Sequence, residues 1–137
     1  MIEVNSLYKS FEEQDVLKGI NAVFKNGKTN LIIGKSGAGK TVLLKCIVGL
    51  IEPDRGTICY DGRDIMSLDK KERLLMRQEI GMLFQNAALF DSMSVLENVM
   101  FPLDIFSTMT YNERVQRARA CLERVNLIEA QDKSPEE

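Results

Sequence analysis

The chain opens with Ile2-Glu3-Val4, apolar and polar in alternation, which predicts a strand with one face toward a core. A second strand is predicted from Val16-Leu17 to Phe24, with Ile20, Ala22 and Phe24 on one face. Asn26-Gly27 reads as a primed hairpin turn, because both residues tolerate positive φ. Asn30-Leu31-Ile32-Ile33 is a continuous apolar run, the pattern of a strand buried on both faces. Val42-Leu43-Leu44-Lys45-Cys46-Ile47-Val48 predicts an apolar helix that Gly49 can end. Pro53-Asp54-Arg55-Gly56 is turn chemistry. Asp61-Gly62 joins Thr57-Ile58-Cys59-Tyr60 to Arg63-Asp64-Ile65 as a second primed hairpin.

The second half of the chain reads as mostly helical. Asp69 with Glu72 three residues on predicts a capped helix from Lys70 to Glu79, and Asp69-Lys70-Lys71-Glu72-Arg73 reads as a solvated face. Ile80-Gly81-Met82-Leu83-Phe84 predicts a short buried strand that ends at Gln85. Ser94-Val95-Leu96-Glu97 and Thr110-Tyr111-Asn112-Glu113 are capping boxes. The helix that the first one starts meets Pro102, which should end or kink it. The second helix places Val115, Ala118, Leu122 and Val125 on one face. Ser134-Pro135-Glu136-Glu137 reads as the start of a further element.

Between the run at 30–33 and the helix that follows lies Gly34-Lys35-Ser36-Gly37-Ala38-Gly39-Lys40-Thr41. It fits G-x-x-x-x-G-K-[ST], the phosphate-binding P-loop, in its required context of strand, loop and helix. Gly34, Gly37 and Gly39 let the backbone approach a ligand closely. The amides of Gly37, Ala38, Gly39, Lys40 and Thr41 can converge on phosphate oxygens, helped by the positive end of the helix dipole. Lys40 would reach the β- and γ-phosphates as a point charge, and the Thr41 hydroxyl suits Mg²⁺, which prefers oxygen ligands.

Composition narrows the class. The 137 residues predict one domain, and 45 % apolar residues suffice for a core. A net charge of −2 carries no basic footprint for nucleic acid, so anion affinity must be local to the loop. Cys46, Cys59 and Cys121 are scattered and the chain has no His, which argues against zinc and for reduced thiols in the cytosol. No signal peptide opens the chain, and no apolar run is long enough to span a bilayer, so a membrane role is expected to go through a partner. The methionines at 76, 82, 93, 100 and 109 read as packing and partner-facing surface.

The ordered series of segments resembles the ATP-binding cassette family, the nucleotide-binding subunits of ABC transporters, from Met1 to Glu137. It includes Tyr8-Lys9-Ser10-Phe11, Val16-Leu17-Lys18-Gly19-Ile20, the P-loop, Leu50-Ile51-Glu52-Pro53-Asp54-Arg55-Gly56, Tyr60-Asp61-Gly62 and Ile80-Gly81-Met82-Leu83-Phe84-Gln85. The resemblance implies an α/β fold of the P-loop NTPase class, with an N-terminal antiparallel β unit, a P-loop at 34–41, a Q-loop near 85 and a helical segment at about 94–128. It implies ATP and Mg²⁺ as ligands. Phe11 would stack on adenine, Ser36, Ala38 and the rest of the loop would hold phosphate, and Gln85 would contact Mg²⁺ and the attacking water. It also implies a homodimer that closes over ATP, and a membrane permease docked on the stretch that opens at Gln85 and closes at Phe106. Leu89, Phe90, Met93, Met100 and Phe106 read there as exposed apolar residues. The subunit would then sit at the cytoplasmic face of the cell membrane. Gly39-Lys40-Thr41-Val42-Leu43-Leu44, Ala88-Leu89-Phe90-Asp91-Ser92-Met93 and Asn98-Val99-Met100-Phe101-Pro102-Leu103 further resemble the Mla/Mce-type ATPases of lipid transport.

Three features of that family are not found: the LSGGQ signature, the Walker B run ending in Asp-Glu, and the switch histidine. Ile58-Cys59-Tyr60-Asp61 is too short for Walker B, and Gly62 makes it a hairpin. The chain therefore reads as the N-terminal part of a cassette that ends before its signature, self-associating through uncovered strand edges and inactive in hydrolysis alone. The alternative is a non-catalytic nucleotide-binding or interaction module. A GTPase would need an N-K-x-D motif, which is absent. A P-loop kinase would need an arginine-rich lid, whereas Arg114, Arg117, Arg119 and Arg124 fall in an amphipathic helix.

Overall fold

In the computed structural model, residues 1–84 and 89–137 are described, and they fall in two compact units, Met1–Met82 and Leu83–Glu137. The first unit is built on an antiparallel sheet. Strands β1 (Ile2–Phe11), β2 (Gln14–Phe24), β3 (Arg55–Tyr60) and β4 (Arg63–Asp64) lie in the order β2-β1-β3-β4. The β1–β2 hairpin closes at Glu12, whose φ is +52°, with Phe11 paired to Gln14. No Asn-Gly or Asp-Gly pair marks this turn, and β1 is accordingly longer than its opening alternation predicts. At the β3–β4 turn Asp61 and Gly62 both have positive φ, as predicted. Gly56 lets β3 pass close to β1: a Cβ there would lie 2.4 Å from the Ser6 carbonyl.

Helices α1 (Lys40–Ile47) and α2 (Lys70–Gln78) belong to the same unit. The core joins Val4, Leu7, Leu17 and Ile58 of the sheet to Leu43, Cys46 and Ile47 of α1 and Met76 of α2. Burial pushes the Cys46 thiol pKa up. Gly49 (φ +71°) ends α1 in a Schellman arrangement, its N–H donating to Cys46 O and that of Leu50 to Lys45 O. The Tyr60 hydroxyl donates to Ile47 O at 2.8 Å, and burial pushes the Tyr60 pKa up to about 12. The expected solvated face of α2 needs correction at Arg73. Its guanidinium donates to Met66 O and Leu68 O and pairs with Glu52, tying the helix to its own unit.

Two predicted strands are not present. Residues 30–33 are irregular, with Ile32 against the core but Leu31 79 % and Ile33 84 % exposed. Burial on both faces needs neighbours for the backbone and for the outward side chains. Among the described residues no segment pairs with this one. Asn26-Gly27 consequently forms a turn without a hairpin. Residues 80–84 are irregular for the same reason, with Leu83 and Phe84 exposed.

The second unit holds α3 (Val95–Phe106), α4 (Tyr111–Arg124) and a short 3₁₀ turn at Ile128–Ala130. Both capping boxes are formed, by Ser94 with Glu97 and Thr110 with Glu113. Pro102 does not end α3, which continues to Phe106. Ala118 and Leu122 of α4 are buried, but Val125 caps the helix and is exposed, one residue past the last helical residue. Met100 packs inside this unit, while Leu89, Phe90 and Phe106 are exposed. The last residues form a turn rather than a helix, with the Ser134 N–H donating to Glu137 Oε2.

Candidate functional site: a glycine loop at an uncapped helix

Helices α2, α3 and α4 each begin with an acidic residue or hydroxyl that accepts from the backbone, and each carries a glutamate at the third position. Helix α1 begins differently. Its N-cap is Gly39 (φ +84°), no side chain accepts from its first turn, and no acidic residue lies there. The opening amides of α1 are therefore left without a protein anion, at the positive end of the dipole. The preceding residues 34–38 are exposed. Within them Gly37 also has positive φ, +77°, with nothing within 4 Å of where a side chain would stand.

Lys40 completes this end. Its Nζ donates to Gly34 O and Lys35 O, each at 2.7 Å, so the ammonium folds back across its own loop. Ala38 N donates to Lys35 O at 3.2 Å, closing a turn inside it. Thr41 is exposed on the first turn of α1, and its hydroxyl suits a hard cation. Ser36 is exposed beside them. The first turn is fixed to the sheet by close approach: a Cβ on Gly39 would meet Val16 Cγ1 at 3.0 Å, Leu17 Cδ2 at 3.1 Å and Val16 O at 3.1 Å.

That approach relates the loop to Phe11. Val16 lies on β2 two residues beyond Gln14, the partner of Phe11 across the hairpin. Phe11 is 44 % exposed, and the Lys9 ammonium lies over its ring, 5.4 Å from the centroid. Lys9 is in turn held by Asp54 Oδ1 at 2.7 Å, and Asp54 Oδ2 accepts from Ser10 N at 2.6 Å. Lys9 first, then the Ser10 N–H, hold the Asp54 carboxyl below its ordinary pKa. Lys9 and Asp54 were not predicted as site residues. Asp54 reads in sequence only as part of a turn, and its partners lie 44 and 45 positions away. Of the expected site residues, Gln85 lies outside the described residues.

A glycine loop with left-handed turns, a lysine folded over it and an uncapped helix behind it define the P-loop class of nucleotide-binding folds. The family profile described as ABC transporter matches residues 17–137, and this chain belongs to that family. It is 42 % identical over 102 residues to the probable ribonucleotide transport ATP-binding protein mkl of Mycobacterium bovis, covering 74 % of this chain and 28 % of that one. It is 38 % identical over 137 residues, all of its length, to 39 % of the TRIGALACTOSYLDIACYLGLYCEROL 3 protein of Arabidopsis thaliana chloroplasts. Among solved structures it resembles the ATP-binding cassette MJ0796, a dimer in a post-hydrolysis state bound to ADP and Pi. The TM-score is 0.86 at 30 % identity, over 99 % of this chain and 62 % of that one. The chain thus spans about a third of the length of these curated relatives. Among the described residues no helix is long and apolar enough to cross a membrane.

Proposed function

We propose that this chain is the nucleotide-binding part of an ABC transporter ATPase, coupling ATP binding and hydrolysis to transport. The uncapped, glycine-opened N-terminus of α1 under the Lys40 ammonium carries the proposal. The amides of Gly37, Ala38, Gly39, Lys40 and Thr41 hold phosphate oxygens, with Gly34 and Ser36 shaping the loop. Lys40 places positive charge where negative charge develops during γ-phosphoryl transfer. Thr41 and Gln85 offer oxygen ligands suited to Mg²⁺, which when bound offsets charge on the phosphoryl oxygens. Gln85 orients the attacking water, and Phe11 stacks on adenine. The longer protein works as a homodimer on a membrane permease at the cytoplasmic face. That permease docks on the stretch from Gln85 to Phe106, where Phe90 and Phe101 pack with ring centroids 4.7 Å apart. Charge at Phe90 would then uncouple hydrolysis from transport and spare nucleotide binding.

The proposed cargo is lipid. The sequence resembles the Mla/Mce-type ATPases, and the relative matched along the whole chain is named for trigalactosyldiacylglycerol, a glycolipid. Hydrolysis needs a general base beyond the groups placed here, so this chain alone turns over little ATP. The experiment follows phosphate release and movement of a fluorescent phospholipid between membranes by the longer protein in complex with its permease. Lys40→Ala abolishes both. Lys40-dependent turnover coupled to a small polar solute, with no lipid movement, would overturn the cargo. Full hydrolysis with Lys40→Ala would overturn the site.

A further inference from the structure

Phe11 ends β1 and is 44 % exposed. Two neighbours constrain its ring. Lys9 lies two positions back, on the same face of the strand as Phe11, and puts its ammonium over the ring at 5.4 Å. A free lysine would spread over many rotamers, but this one is only 18 % exposed and is bonded to Asp54 at 2.7 Å. Asp54 also holds the backbone on both sides of Lys9. Its carboxylate accepts from Ser10 N at 2.6 Å, and its own N–H donates to Tyr8 O at 2.9 Å. One residue therefore fixes the cation that faces the ring and the strand end that carries it.

We propose that Lys9 and Asp54 are positioning residues for the base of the bound nucleotide, resting on the assignment of Phe11 as the platform for that base. The ammonium occupies one side of the ring and leaves the rest of its exposed surface to a planar heterocycle. A ring held this way loses little freedom when a base stacks on it. A cation on one face also withdraws electron density from the ring, which favours an electron-rich purine on the other. The pair acts on the base and not on the phosphates, which belong to the loop and Lys40.

The test compares ATP with inorganic tripolyphosphate, which keeps the phosphates and lacks the base, by calorimetry on the 137-residue chain. Lys9→Met and Asp54→Asn should each weaken ATP binding roughly 3-fold to 10-fold and leave tripolyphosphate binding unchanged. Lys9→Arg, which keeps a cation able to lie over the ring, should restore ATP binding. Equal loss for both ligands would overturn the proposal, because the pair would then only support the fold or the general field. Unchanged ATP binding in Lys9→Met would overturn it as well. Phe11→Leu separates the two levels. If it weakens ATP alone while Lys9→Met changes nothing, the platform stands and the positioning pair falls. If Phe11→Leu leaves ATP unchanged, the platform and the pair fall together.

Discussion

The Lys40 ammonium and the Gly34 carbonyl lie 2.7 Å apart across the loop, so the first glycine of the motif orients its lysine. The cation is thereby held at the carbonyls of its own loop. Charge-assisted hydrogen bonds are worth about 1.5–3 kcal/mol each. Lys40→Ala should therefore weaken Mg·ATP binding about tenfold to a hundredfold, measured by calorimetry.

Gly39 and Gly37 both have positive φ, but only Gly39 lies against the sheet. A β-carbon in that backbone region costs about 1–2 kcal/mol. At Gly39 it also meets Val16 and Leu17, adding about 1–3 kcal/mol of overpacking. Urea unfolding should show Gly39→Ala destabilised by roughly 2–5 kcal/mol and Gly37→Ala by about 1–2 kcal/mol. Equal losses would mean that the loop does not rest on β2.

Much of the site was legible because its chemistry is local. Eight consecutive residues carry the glycines, Lys40 and Thr41, and three S/T/D-x-x-E boxes announce the starts of α2, α3 and α4. What sequence could not show were relationships between distant positions. Lys9 and Asp54 meet only because β1 and the turn before β3 are brought together. Arg73 sits in a run of charges that reads as solvated, yet three backbone or side-chain groups claim its guanidinium. The run at 30–33 fails differently. Its apolar pattern speaks for burial, but ladder partners are supplied by other segments, and among the described residues none pairs with it. Gly56 is a gain of the structure: its turn context hides the close approach to Ser6 that excludes any side chain.

Tyr60 gives a pH test of α1. Its pKa rises because burial disfavours the phenolate, so the neutral form stabilises the fold. That contribution is complete below the ordinary tyrosine value of 10 and is lost as pH climbs from there toward about 12. Absorbance titration should find one of the three tyrosines ionising last, near pH 12, and absent in Tyr60→Phe. The same variant should cost about 1 kcal/mol at neutral pH, since Ile47 O loses its donor.

Leu31 and Ile33 put apolar side chains into water on a segment whose backbone pairs with no described strand. Uncovered apolar residues on an unpaired backbone invite pairing with a second chain. Light scattering should show association that grows with concentration, and Leu31→Lys with Ile33→Lys should reduce it. A monomer at every concentration would show that the edge is covered in some other way.

Phosphate held by the amides that open α1 should be seen in amide shift mapping of the labelled chain as Mg·ATP is added. The largest shifts should fall on Gly37, Ala38, Gly39, Lys40 and Thr41, and in Lys40→Ala the same shifts should need about tenfold to a hundredfold more Mg·ATP while the free spectrum keeps its dispersion. Binding that leaves those five amides unmoved, or that persists unchanged without the lysine, would place the phosphates elsewhere.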